Sequence, residues 1–203
     1  MAIVDHLMFA APDLAAGVRH IKALSGIEAA PGGAHPGNGT RNALMSLGPG
    51  QYLEIIAPDP AQAPADNLAA DILSRDRMEI RAWAVAAKSG ETERLARSAS
   101  LGTRRVPMSR TTPDGVRLEW EIVFVTGHPF GDAFPFFIDW LASPHPSGTT
   151  PGGCTLSSLE ISVPGAADYR KLIATFGIEG VDVVEGAASL NAVLVTPNGQ
   201  VTI

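Results

Sequence analysis

Ile3-Val4-Asp5-His6-Leu7-Met8-Phe9-Ala10-Ala11-Pro12-Asp13 is the stretch from which the rest of the chain is read. Ile3 to Ala11 is a mainly apolar run of strand length, and Pro12 ends it. Asp13 stands where a carboxylate accepts a bond from a free backbone N–H and caps a helix. Leu14, Val18, Ile21 and Leu24 then share one helical face, and Gly26 supplies the left-handed stop. Two more apolar runs follow, Asn42-Ala43-Leu44-Met45-Ser46-Leu47 and Tyr52-Leu53-Glu54-Ile55-Ile56, joined through Gly48-Pro49-Gly50. That is hairpin chemistry. Residues 1–58 therefore read as one module: strand, helix, then strands closed by a hairpin.

The pattern recurs. Leu159-Glu160-Ile161-Ser162-Val163 is a strand, Pro164-Gly165 a break, and Tyr169, Leu172, Ile173 and Phe176 a helical face. Gly177-Ile178-Glu179 echoes Gly26-Ile27-Glu28, and Pro197-Asn198-Gly199 is a hairpin turn, so residues 155–203 form a third, partial module. A weaker middle copy spans 79–126: Arg81 to Gly102 lies over Asp5 to Gly26 without a gap, with Ser89 at the cap position. Pro113-Asp114-Gly115 then precedes the strand from Val116 to Phe124. One such unit is too small to bury its own apolar face, so the units must pair or stack. Strands do not alternate one-for-one with helices, which disfavours an all-parallel doubly wound sheet. Residues 59–78 read as a connector with a short helix around Asp66–Ser74. Residues 127–154 read as a Pro/Gly-rich connector holding Phe130, Phe134, Phe136, Phe137 and Trp140. Aromatics so dense are expected to pack over a module or a partner.

Composition narrows the function. The net charge is −6 and the basic residues are scattered, which excludes a nucleic-acid partner needing clustered Lys and Arg. No apolar run approaches the ~20 residues of a membrane span. The first residues do not read as a signal peptide, and the lone Cys154 fits a reducing compartment, so a cytoplasmic protein is expected.

Several stretches resemble the glyoxalase-like domain family of the vicinal-oxygen-chelate superfamily. They are Asp5-His6-Leu7, the loop from Gly32 through His35 to Asn42, and Tyr52-Leu53-Glu54-Ile55. Further along come Ser109 to Gly115, Leu118-Glu119-Trp120, and Pro135 to Trp140 followed by His145-Pro146. The resemblance implies an α+β fold, in which βαβββ modules pair into mixed-sheet half-barrel cups with helices outside. It also implies divalent-metal ligands (Zn, Mn, Fe or Mg) on the first and last strands of each of two modules. Carried onto this sequence, those positions are His6 and Glu54 in the first module, with Glu54 also the catalytic residue. In the second they fall on Ala82, which cannot ligate, and on Glu119, whose neighbour Glu121 shares its face. The third module offers Ser158 and Ile203, which make no site.

Strand alternation agrees for Glu54, since residues 52, 54 and 56 share a face. His35 and Asn42, in a glycine-rich loop, and Arg110, a carboxylate clamp, are the candidate substrate-binding residues. His20, His128, His145 and Cys154 read as surface or packing residues. No nucleotide cofactor is indicated.

The expected function is binding of a small oxygen-rich molecule in a module cup by a metal-dependent lyase, isomerase or dioxygenase. The alternatives are a metal-free binding or sequestering protein and a chiefly structural part of an assembly. The odd number of modules invites pairing in trans, hence a homodimer.

Overall fold

The structure, a computed structural model, describes residues 2–63, 68–112 and 115–203. The start of the expected helix at Asp66 and the Pro113-Asp114 turn lie outside the described residues. The first module is β1 (Val4–Ala10), α1 (Leu14–Ser25), β2 (Ala30–His35), β3 (Thr40–Ser46) and β4 (Tyr52–Pro58). Asp13 caps α1 by accepting from Ala16 N–H. Gly26 closes it in the left-handed region at φ 79°, its N–H bonded to the Lys22 carbonyl, a conformation that carries no side-chain penalty in glycine.

The second module is β5 (Glu79–Ala86), α3 (Ser89–Ser98), β6 (Gly102–Thr111), β7 (Arg117–Thr126) and β8 (Phe136–Asp139). It runs past residue 126, because its last strand comes from the aromatic stretch read as connector. The cap of α3 also differs from the expectation at Ser89. The helix starts there, and the Asp139 carboxylate on β8 accepts from the Ser89 backbone N–H at 3.2 Å.

The two modules share one eight-stranded mixed sheet, in the order β2-β3-β4-β1-β5-β8-β7-β6. β1 is parallel to β4 and antiparallel to β5, and β5 is parallel to β8. The sheet curls until its edges approach, and Arg110 on β6 donates across the gap to the Gly32 carbonyl on β2. A half-barrel cup is thereby completed within one chain. The odd module count therefore gives no reason for pairing in trans. The short helix α2 (Leu68–Arg75) packs on β4 at one end of the cup, with Ile72 against Met8, Ala10 and Ile56.

The third unit keeps the element order but not the sheet order. β9 (Thr155–Val163), α4 (Ala166–Thr175), β10 (Asp182–Glu185), β11 (Ser189–Thr196) and β12 (Gly199–Thr202) form a separate sheet, β10-β9-β11-β12. It covers the convex side of the large sheet. There Leu159, Tyr169, Phe176 and Leu194 join Leu7, Trp83, Val85 and Phe137 in the main core. Trp83 Nε1 and the Tyr169 hydroxyl both donate to the Ala133 carbonyl, at 2.9 and 2.7 Å, so these buried polar atoms are satisfied. Each such side chain contributes about 1.5–3 kcal/mol by leaving water. Among the described residues, only α2 covers part of the concave face, at one end.

Candidate functional site

The concave face encloses a cavity of about 570 Å³, within the roughly 300–1,000 Å³ of small-molecule sites. Strand alternation sets which side chains reach it. On β4, Tyr52, Glu54 and Ile56 face the cavity, while Leu53 and Ile55 enter the core behind.

Glu54 is the centre of the floor. Its Oε1 accepts a 2.6 Å bond from Asn42 Nδ2 on β3, and the same amide nitrogen lies 3.2 Å from His35 Nε2. The amide has two hydrogens, so one serves each acceptor. His35 Nδ1 then carries its ring proton and donates to the Thr40 hydroxyl at 2.9 Å. Burial holds the His35 imidazole below its usual range, with Glu54 opposing and Arg110 reinforcing the shift; His35 is neutral at pH 7. His35 Nε2 and His6 Nε2 each lie 3.8 Å from a Glu54 oxygen.

His6 is fixed from behind. The β1–β5 register slips between Val4 and His6, and the adjacent Asp5 and His6 side chains meet, with Nδ1 2.7 Å from Asp5 Oδ1. Asp5 is fully buried and also accepts from Trp140 Nε1 and His145 Nε2, each at 3.2 Å. Burial alone would raise its pKa. The bonds from His145 and His6 outweigh burial and hold the carboxyl below the usual range. With Asp5 on Nδ1, His6 presents Nε2 to the cup. Tyr52 stacks on the His6 ring at 4.4 Å, and burial together with the Asp5 and Glu54 carboxylates keeps its phenol protonated.

Arg110 completes the floor. It is buried, it donates to the Gly32 carbonyl, and no carboxylate among the described residues lies within ion-pair distance. Burial lowers its pKa against the pull of Tyr52 and Glu54.

His6, His35, Asn42, Glu54 and Arg110 thus converge on one cavity. Glu119 does not. On β7, Leu118, Trp120, Ile122 and Phe124 take the cup face, so Glu119 and Glu121 point the other way. Glu119 is 59% exposed and paired with Arg117. Glu119 also lies on β7, whereas the strand beside β5 is β8.

The β1–β5 register identifies the true counterparts. His6 pairs with Ala84 and Met8 with Ala82, which makes Ala82 the second module's His6 position. Glu54 pairs with Met8, and Phe136 with Ala84, so Phe136 stands where the first module has Glu54. The missed participants are Asp5, Thr40 and Tyr52. An acid beside a histidine within an apolar strand was the available signal for Asp5.

Residues 4–177 match the model of the glyoxalase-like domain. The chain belongs to this family, within the vicinal-oxygen-chelate superfamily. A hypothetical protein from Staphylococcus aureus shares the fold at TM-score 0.73 with 14% identity, over 93% of this chain and 88% of that one. Methylmalonyl-CoA epimerase from Mycobacterium tuberculosis matches at TM-score 0.49 and 17% identity, over 72% of this chain and 91% of that one. No curated protein matches the sequence. No helix among the described residues is long and apolar enough to cross a membrane.

The donor set of this glyoxalase-like cup does not fit the four-ligand metal centre that the resemblance implies. Two of the four positions are the apolar Ala82 and Phe136. Of the other two, Glu54 gives Oε1 to Asn42 and has Oε2 3.8 Å from His6 Nε2, so two donors of the four are present. Among the described residues no three His, Cys, Asp or Glu side chains group as a metal site.

Proposed function

We propose that the cup binds a small molecule through an oxygen-bearing head and that Glu54 moves a proton on it, without a metal centre of the four-ligand kind. The observation that carries this is the setting of Glu54: a buried carboxylate aligned by Asn42, with two imidazole Nε2 atoms at 3.8 Å. A base needs a fixed orientation and a dry site. A carbonyl oxygen that gains charge as its neighbouring C–H is broken needs a donor, and the Arg110 guanidinium has N–H groups to spare. This is isomerase- or lyase-type chemistry, and the metal-dependent forms of those reactions are the competing reading. A cup that only binds is the other, favoured by the apolar Ala82 and Phe136 at the second module's ligand positions.

The test is exchange of the carbon-bound proton of 2-oxo acids and 2-hydroxy ketones in D₂O, followed by proton NMR. Exchange is expected with the wild-type chain, about 10²–10⁴-fold slower with Glu54→Gln, and slowed with Arg110→Gln. No exchange above buffer with any compound removes the catalytic reading. Binding of the same compounds without exchange leaves the sequestering one.

A further inference from the structure

The wall above Glu54 is built of flat rings. Trp120 and Phe124 face the cavity from β7, Phe136 from β8, and Trp140 follows it. Trp120 and Trp140 lie 5.4 Å apart and tilted by 38°, and Phe124 and Phe136 lie 5.8 Å apart and tilted by 40°. Neither pair is stacked flat. Splayed rings leave faces and edges that a third ring can meet at the ~4.5–7 Å separations aromatic pairs favour. Met108, opposite Trp120 in the β6–β7 register, also lines the cavity and adds a polarizable sulfur of the kind that favours ring contact.

At the floor, Arg110 is a buried cation bonded to one backbone carbonyl, with no carboxylate partner among the described residues. A buried charge is stable only when compensated, and Arg110 lines the cavity. Size adds a third constraint. At ~30 Å³ for each water-sized unit, about 570 Å³ holds on the order of 20 non-hydrogen atoms. A two- or three-carbon oxygen-rich molecule would leave most of the ring-lined wall uncovered.

From the rings, the cation and the volume together, we infer that the cup's ligand is a planar aromatic carboxylate of one or two rings, its carboxylate on Arg110 and its ring against Trp120 and Phe136. This goes beyond the proposed function: it concerns what the same cup binds and does not depend on turnover.

Isothermal titration with three probes tests it: 2-naphthoate, the uncharged 2-naphthalenemethanol, and decanoate, which has the charge without the ring. The wild-type chain is expected to bind 2-naphthoate roughly tenfold or more tighter than either of the others, the scale of one charge-assisted hydrogen-bond pair or one ring contact set. Arg110→Gln should erase the advantage over the alcohol while keeping that over decanoate. Trp120→Leu should do the reverse, and Phe136→Leu serves where Trp120→Leu does not fold. Equal affinity for decanoate and 2-naphthoate overturns the inference, as does a charge preference that survives Arg110→Gln or an absence of 2-naphthoate binding. Ordered binding without proton exchange removes only the proposed reaction. Exchange on aliphatic compounds without ring preference removes only this inference.

Discussion

Gly32→Ala perturbs the cup floor without removing any group that lines it. A Cβ on Gly32 would lie 2.1 Å from Asn42 Oδ1, 3.0 Å from its Cγ and 3.2 Å from Leu44 Cγ. Gly32 does not have a left-handed φ, so alanine carries no backbone strain there and the clash acts alone. Asn42 must swing away, and with it goes the 2.6 Å bond to Glu54 and the 3.2 Å contact to His35. A bond to a charged group contributes about 1.5–3 kcal/mol and a neutral one about 1 kcal/mol. The expected cost is therefore about 3 kcal/mol. At about 2–4 °C per kcal/mol for a chain of this size, Tm should fall by about 6–12 °C in a calorimetric melt. Since the severe clash is with Asn42 and only the milder 3.2 Å approach to Leu44 Cγ remains without it, Gly32→Ala placed in an Asn42→Ala background should cost under about 1 kcal/mol, a coupling characteristic of side chains in contact. If the two substitutions add independently, the Asn42 clamp on Glu54 is not what Gly32 makes room for.

Three other outcomes follow from the same geometry. The depressed pKa of Asp5 means its ionised form stabilises the fold above the ordinary carboxylate pKa of about 3.9 and ceases to as pH falls through its folded value. In urea titrations Asp5→Asn should be less stable than wild type by about 1–3 kcal/mol at pH 7, and the gap should narrow toward pH 3. The lowered pKa of His35 works from its unfolded value of 6.5 downward: the unfolded chain takes up a proton that the folded one refuses, so stability declines as pH falls below that value. His35→Gln should remove that part of the wild-type slope. Glu119→Ala should change stability by less than about 0.5 kcal/mol and leave ligand affinity unaltered in the titration used for 2-naphthoate.

The first module was legible because each of its signals is local. Asp13, the apolar face of α1, Gly26 and the alternation through Tyr52, Glu54 and Ile56 need only neighbours in sequence. The gapless overlay of Arg81 on Asp5 also located Ala82, which the sheet register independently places opposite Met8. What failed was long-range. β8 is a four-residue strand inside an aromatic stretch, too short for periodicity to mark. Missing it displaced the second module's last-strand position from Phe136 to Glu119.

In β7 both faces are apolar toward the C-terminal end, where Val123 and Val125 enter the core and Ile122 and Phe124 the cup. Alternation alone did not say which face was which, although Trp120 beside Glu119 was the available cue. The third unit repeats strand, helix and hairpin. β10 lies beside β9, whereas β2 of the first module lies beside β3 at the far end from β1, and no local pattern encodes that choice of partner. In the site, alternation carried Glu54, but the clamp by Asn42 is a contact between strands, and the meeting of Asp5 with His6 on β1 goes with the slip in the β1–β5 register. Only their side-chain chemistry was visible beforehand.

On the proposed reading, Glu54 works from a hydrogen-bonded setting and not as one ligand of a metal centre. This is tested most directly by metal analysis of the purified chain together with proton exchange before and after dialysis against a strong chelator. Substoichiometric metal, an exchange rate unchanged by chelation, and loss of exchange with Glu54→Gln are expected. One metal ion per chain, removed by the chelator together with activity and restored by adding Zn²⁺ or Mn²⁺, would contradict that reading.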